Sequence, residues 1–180
     1  MKTYTLQLAG IERELPILPI SDALSIASFV ILGDTEVVRK AAPLLAAKLP
    51  EVDVLVTAEA KGIPLIYDLS KQLDMPRYVV ARKTVKPYME DPLVNEVVSI
   101  TTQKEQVLCL DRKDADFMKG KRVALVDDVI STGESLRALG ELVEAAGAHV
   151  IAKAAILAEG DAAERDDILF LEKLPLFPHE

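Results

Sequence analysis

Arg122-Val-Ala-Leu-Val-Asp-Asp-Val-Ile-Ser-Thr-Gly-Glu-Ser135 is the stretch from which the rest of the chain can be read. Its apolar run, residues 123–126, is unbroken by polar groups, as in a strand buried on both faces of a parallel sheet. Two carboxylates follow, Asp127 and Asp128. A short loop with Ser131, Thr132 and Gly133 then leads into an amphipathic helix over 135–146. This order places the polar groups at the carboxyl end of a strand, where open α/β sheets bind ligands. A helix start offers unpaired N–H groups and a positive dipole end, which suit a phosphate, and the Thr132 and Ser135 hydroxyls add donors. Asp127 and Asp128 cannot serve that phosphate, because like charges repel. They suit ribose hydroxyls, or magnesium held through water. A lone Asp-Asp pair commonly does no more than end a strand; here strand, acid pair, Thr-Gly, hydroxyl and helix coincide in one order. Neither G-x-x-x-x-G-K-[ST] nor G-x-G-x-x-G occurs, which argues against a nucleoside triphosphatase or a dinucleotide enzyme.

The same alternation extends outward from this stretch. Asp34 or Thr35 can cap a helix whose apolar face uses Val37, Val38, Ala41, Leu44, Leu45 and Leu49, ended by Pro50. Strands at 52–56 and 78–81 flank a helix at 63–73, and a strand at 150–157 follows the quoted segment. Strands alternating with helices predict an α/β fold, a single domain over 1–180 with a mainly parallel sheet and helices on both faces. The core is expected at 34–160. At the N-terminus Thr3, Thr5 and Gln7 alternate with Tyr4, Leu6 and Leu8, and Ala9-Gly10 turns the chain into a second extended run. That pattern predicts a hairpin, so residues 1–33 are read as a small hood. Residues 83–99 carry two prolines and little periodicity, and a loop of that length is expected to be a mobile lid.

Half of the 180 residues are apolar, enough for a core without disulfides or structural metal. The net charge of −8 opposes long-range attraction to nucleic acid or anionic lipid, so phosphate must be recognised locally. Cys109 is the one cysteine, and no Cys/His group has metal-ligand spacing, which fits a reducing cytoplasm. The N-terminus lacks the pattern of a signal peptide, and the longest uncharged apolar segment, between Asp22 and Asp34, is short of the ~20 residues that cross a bilayer. A soluble protein is expected, with no catalytic part for His149 or His179.

The segment from Val123 to Ser135 resembles the 5-phosphoribosyl-1-pyrophosphate (PRPP) motif of type I phosphoribosyltransferases. Thr57-Ala-Glu-Ala-Lys-Gly62 is similar to their pyrophosphate loop, in the Glu-Ala-Arg-Gly form of adenine phosphoribosyltransferases, with Lys61 in place of Arg. Ala81-Arg-Lys-Thr-Val-Lys86 is similar to the segment that contacts pyrophosphate and opens the mobile loop. The resemblance covers about residues 52–157. The pyrophosphate loop also makes physical sense by itself, since Gly62 admits close backbone approach and the N–H groups of Ala60, Lys61 and Gly62 can face an anion.

The resemblance implies attack of a purine nitrogen on C1 of PRPP, giving a nucleoside monophosphate and pyrophosphate, with Mg2+ as cofactor and a homodimer as the assembly. Ser131, Thr132, Gly133, Glu134 and Ser135 would hold the 5-phosphate. Ala60, Lys61, Gly62, Arg82, Lys83 and Lys86 would face pyrophosphate, and Asp127, Asp128 and Lys83 are the catalytic candidates. Ile130 and Phe29 are the candidate base contacts, with core packing the competing role of Phe29, and also of Leu18 and Ile20. Glu90, Glu96 and Glu105 lie where adenine enzymes carry a catalytic glutamate. Enzymes of 6-oxopurine salvage place Asp immediately before Thr-Gly; Ser131 stands there, which puts adenine first and xanthine second. Glu134 replaces the usual Gly and is expected to face solvent. The competing class is a PRPP- or nucleotide-sensing regulator of the same fold; regulators of this kind that bind DNA carry an added winged-helix domain, and with only about thirty residues before the first helix and an acidic charge, nucleic-acid binding is not expected.

Overall fold

The computed structural model describes residues 1–98 and 105–179. Its strands are β1 (Thr3–Leu8), β2 (Ile11–Ser21), β3 (Leu24–Ala27), β4 (Val54–Ala58), β5 (Val79–Ala81), β6 (Leu93–Val98), β7 (Glu105–Leu110), β8 (Arg122–Ile130), β9 (His149–Glu159), β10 (Glu172–Leu174) and β11 (Leu176–Pro178). The helices are α1 (Thr35–Lys48), α2 (Ile63–Gln72), α3 (Arg112–Met118) and α4 (Glu134–Ala145).

Five strands form the central sheet in the order β10-β9-β8-β4-β5, with every neighbouring pair parallel. Successive side chains on a strand point to opposite faces, and here both faces are covered. Leu55, Ala124, Val126, Ala154 and Ile156 pack in one core with Val37, Leu45, Leu65 and Leu69 of α1 and α2. Val54, Val56, Val123, Leu125 and Ala155 pack in the other with Leu136, Leu139 and Val143 of α4. The expected α/β architecture is therefore the observed one. Burial on α1 differs in one place: Ala42 lies inside, whereas Leu44 is 48% exposed.

β8 runs further than its apolar stretch suggests. Asp127 pairs with Ala155 and Val129 with Leu157, so both carboxylates lie within the strand instead of ending it. Ladder hydrogen bonds use the backbone, and at the edge of the sheet the polar side chains meet the loops of the site, so charge there does not stop the strand.

The N-terminal hairpin joins β3 and β11 in a four-stranded antiparallel sheet, β1-β2-β3-β11. The hood thus takes a strand from the far end of the sequence, with Leu176 opposite Ile26. Arg13 fastens this sheet to α1: its Nε lies 2.8 Å from Asp34, whose other oxygen caps the helix at the Val37 N–H. Within the segment read as a lid, residues 93–98 form β6, antiparallel to β7. Ser99 lies outside the described residues. Among the described residues no helix is long and apolar enough to cross a membrane.

Candidate functional site

In a parallel sheet all strands end on the same edge, so the residues that follow β4, β5, β8 and β9 are brought together from distant parts of the sequence. After β8, Gly133 turns the chain at φ 81° and ψ 0° and forms the N-cap of α4. That left-handed conformation favours glycine. A Cβ there would also stand 2.4 Å from Nη1 of Arg165. The N-cap glycine has no side chain to cap α4; Thr132 Oγ1 accepts the Glu134 N–H at 3.4 Å, and the N–H groups that follow it are available to a ligand. Asp127, Ile130, Ser131, Thr132, Gly133 and Ser135 line a cavity of about 100 Å³. Ile130 is only 2% exposed and forms part of its floor. The Glu134 carboxylate is exposed and turned along the helix, 2.8 Å from Arg137 Nη2, so its charge is directed away from the loop.

Asp127 accepts the Asp128 N–H at 2.8 Å. Asp128 is buried, and its Oδ2 has no hydrogen-bond partner. Burial first, then the Asp128 side chain, holds the Asp127 carboxyl well above the ordinary aspartate range, while the Lys61 charge acts the other way. β4 pairs parallel with β8, so the loop after β4 stands beside the acid pair at the strand ends.

That second loop is built differently. Gly62 has ordinary helical dihedrals, but a Cβ on it would lie 2.2 Å from Oγ1 of the buried Thr57. The Glu59–Ala60 peptide is cis. Glu59 accepts the Lys83 N–H at 2.7 Å and Arg82 Nε at 2.9 Å, and its own N–H donates to Ala81 O. The Lys83 N–H and then Arg82 hold its carboxyl below the ordinary glutamate range. Arg82 also exchanges two backbone hydrogen bonds with Cys109 and donates from Nη1 to the Tyr88 hydroxyl at 2.7 Å. Lys86 Nζ donates to Thr84 Oγ1. Arg82 is thus committed within the protein, whereas the Lys61 and Lys83 side chains are exposed at the same edge.

Phe29 is 7% exposed in the core beneath the hood and is not among the cavity-lining residues. Leu18 and Ile20 are exposed on β2. Glu90 is exposed; Glu96 and Glu105 lie on β6 and β7, and their side chains are outside the described residues. Two residues that the sequence did not single out border the site. Glu159 ends β9 and is buried. Arg165, paired with Asp167 at 2.7 Å, packs on Gly133. Aligning the ends of neighbouring strands would have found Glu159; Arg165 follows a 3-10 turn and left no periodic signal.

The phosphoribosyl transferase domain model matches residues 35–175. A xanthine phosphoribosyltransferase of Exiguobacterium sp. is 32% identical over 66% of this chain and 61% of its own. A hypoxanthine/guanine phosphoribosyltransferase of Methanotorris igneus is 33% identical over 73% of this chain and 66% of its own. The chain therefore spans slightly less than two thirds of those relatives. In fold it is similar to the adenine phosphoribosyltransferase of Thermoanaerobacter pseudethanolicus, with TM-score 0.72 and 22% identity over 88% of this chain and 95% of the other. The chain belongs to the phosphoribosyl transferase domain family.

Proposed function

We propose that this chain transfers ribose 5-phosphate from PRPP to a purine, adenine being the favoured acceptor. The observation that carries the reading is the glycine-led α4 start beside Asp127 and Asp128, with Lys61 and Lys83 at the same sheet edge. In this reading the cup at 131–135 takes the 5-phosphate, the acid pair takes the ribose hydroxyls, and Lys61, Lys83 and Lys86 face pyrophosphate. Positioning and charge stabilisation are the protein's contribution, because the reaction passes through an oxocarbenium-like state with little covalent demand on side chains. The 83–99 segment acts as the lid that keeps water from that state. The buried, unpaired Oδ2 of Asp128 and its neighbouring carboxylate fit a hard cation's preference for oxygen. Magnesium, held by Asp127 and Asp128 through water, would neutralise the leaving pyrophosphate.

Adenine is preferred because Ser131 offers a neutral hydroxyl where the 6-oxopurine enzymes resemble one another in carrying Asp. The names of the relatives found by sequence favour a 6-oxopurine, which makes the base the point to measure. A panel of adenine, hypoxanthine, guanine and xanthine with PRPP and magnesium, followed by pyrophosphate release, tests this. Adenine should give the highest kcat/KM. Faster turnover of hypoxanthine, guanine or xanthine would reverse the assignment of the base. Tight PRPP binding without release for any base would instead make the protein a sensor.

A further inference from the structure

Tyr88 is 61% exposed, so its ring adds little to the core, yet its hydroxyl has a defined partner. Arg82 Nη1 donates to it at 2.7 Å. Arg82 is itself held firmly, because its Nε donates to Glu59 and its backbone exchanges two hydrogen bonds with Cys109 of β7. The guanidinium is a fixed post beside the end of β5, and Tyr88 is the residue of the 83–99 segment attached to it. Through that post the segment is tied to the loop after β4.

The tie closes residues 82–88 into a small loop that contains two of the cations. Lys83 is anchored without help from Tyr88, since its N–H donates to Glu59 at 2.7 Å. Lys86 is not. Among the described residues its hydrogen bonds stay within its own turn: Nζ donates to Thr84 Oγ1 at 2.7 Å, the backbone N–H to Met89 Sδ, and its carbonyl accepts the Met89 N–H at 3.0 Å. Arg112 of α3 holds the chain again at Asp91. Between Lys83 and Asp91, the Tyr88 hydroxyl is the one hydrogen-bonded link to the sheet among the described residues. The Lys83 N–H, then Arg82 and, more weakly, the Lys86 charge hold the Glu59 carboxyl below the ordinary range, which puts Lys86 near that carboxylate.

We infer that Tyr88 is a positioning residue for the leaving group: hooked onto Arg82, it holds the turn that carries Lys86 beside the strand ends, where Lys86 meets pyrophosphate. The inference rests on the proposed transferase reading, which sets Lys86 against pyrophosphate. Tyr88 touches no substrate and acts through the lysine. A long side chain on an unplaced turn loses much of its freedom when it binds, and a turn already in place reduces that cost. A single hydrogen bond on an exposed ring is also weak enough to break, so the turn can swing away and release pyrophosphate.

The test uses the full chain with Tyr88→Phe, which keeps the ring and removes only the hydroxyl, with Lys86→Ala, and with both together. Binding of magnesium-pyrophosphate and of adenosine monophosphate is measured by calorimetry, and turnover by pyrophosphate release from PRPP and a purine. Tyr88→Phe should weaken magnesium-pyrophosphate binding about fivefold, the net worth of roughly one hydrogen bond, and leave monophosphate binding and Tm unchanged. Added to Lys86→Ala it should cause no further loss, because nothing is left for it to position. Unchanged or tighter pyrophosphate binding in Tyr88→Phe, an equal loss of monophosphate binding, or multiplied losses in the double variant would each overturn the hook. Binding is read without turnover, so a wild-type protein that binds pyrophosphate but turns over no purine defeats the transferase reading while the same comparison still decides the hook. A wild-type protein that binds no magnesium-pyrophosphate overturns both, and normal turnover with Tyr88→Phe indistinguishable from wild type overturns the hook alone.

Discussion

The loop after β8 and the loop after β4 sit at the same edge of one sheet and are stabilised in opposite ways. Backbone shapes the first: a left-handed glycine, with no side chain of its own to cap it, starts the helix, and only Thr132 reaches one of its N–H groups. Side chains shape the second, where Glu59 grips Arg82 and the Lys83 N–H, and Thr57 fills the space that any Cβ on Gly62 would need. A glycine-led helix start leaves donors for a ligand, whereas a loop whose arginine is already paired must meet its ligand with other cations. The difference implies that the two loops fail in different ways when altered.

The largest effect is expected at the acid pair that borders the backbone-shaped loop. Asp127→Asn/Asp128→Asn should weaken magnesium-PRPP binding by about 1.5–3 kcal/mol per carboxylate, roughly tenfold to a hundredfold each, as measured by calorimetry. The fold should survive. The Asp127 pKa is raised in the folded protein, so its favourable contribution is present at acid pH and is lost as pH rises through the raised value. At neutral pH its removal should not lower Tm; a large drop in Tm would return the pair to a purely structural role.

The glycines come next. Gly62→Ala should cost about 1–3 kcal/mol by overpacking and be largely rescued on a Thr57→Ala background, judged by denaturant melts against Thr57→Ala alone. Gly133→Ala should cost about 1–2 kcal/mol through its positive φ, and Arg165→Ala should not restore it, because the backbone conformation remains. Rescue at both positions, or at neither, would erase the distinction between the loops.

Smaller effects belong to the cations and to the glutamate that organises them. Lys83→Ala or Lys86→Ala should reduce turnover about tenfold, near 1.4 kcal/mol, with little change in nucleoside monophosphate binding, since that product lacks pyrophosphate. Equal losses in both assays would take these lysines away from the leaving group. Glu59→Gln should cost about 1 kcal/mol or less, because the ion pair is partly solvated. The Glu59 pKa is depressed, so its contribution holds at neutral pH and fades as pH falls through the depressed value. Wild type and Glu59→Gln should therefore converge in stability on acidification; a gap that persists at low pH would assign the effect to packing.

Legibility in the sequence follows the same division. The parallel strands, the alternation with helices and the Thr-Gly cup were readable because each is a local pattern of apolar runs and glycine. The apolar run alone ends the strand at 126, since charge argues against a buried strand until the site that receives Asp127 and Asp128 is known. β6 was hidden by the prolines before it, and β3 and β11 are too short to show a period. Glu159 and Arg165 follow the last long strand without any motif, and only the sheet register and the approach of the later turn bring them to Ser131 and Gly133.

The hood closes with β11, whose partner β3 was laid down about 150 residues earlier in the chain. Ser25 and His179 reinforce that seam with a 2.7 Å hydrogen bond, and the other ring nitrogen of His179 lies 2.8 Å from Asp22 O. During synthesis the first three strands must wait unpaired along one edge until residues 176–178 emerge. Contacts of such long sequence separation are slow to form, and an exposed strand edge invites pairing with other chains meanwhile. The parallel strands β4, β5, β8 and β9 are complete before that point, while their edge strand β10 emerges only just ahead of β11. Until β11 arrives, the open edge of β3 is the part of the hood most exposed to pairing with another chain.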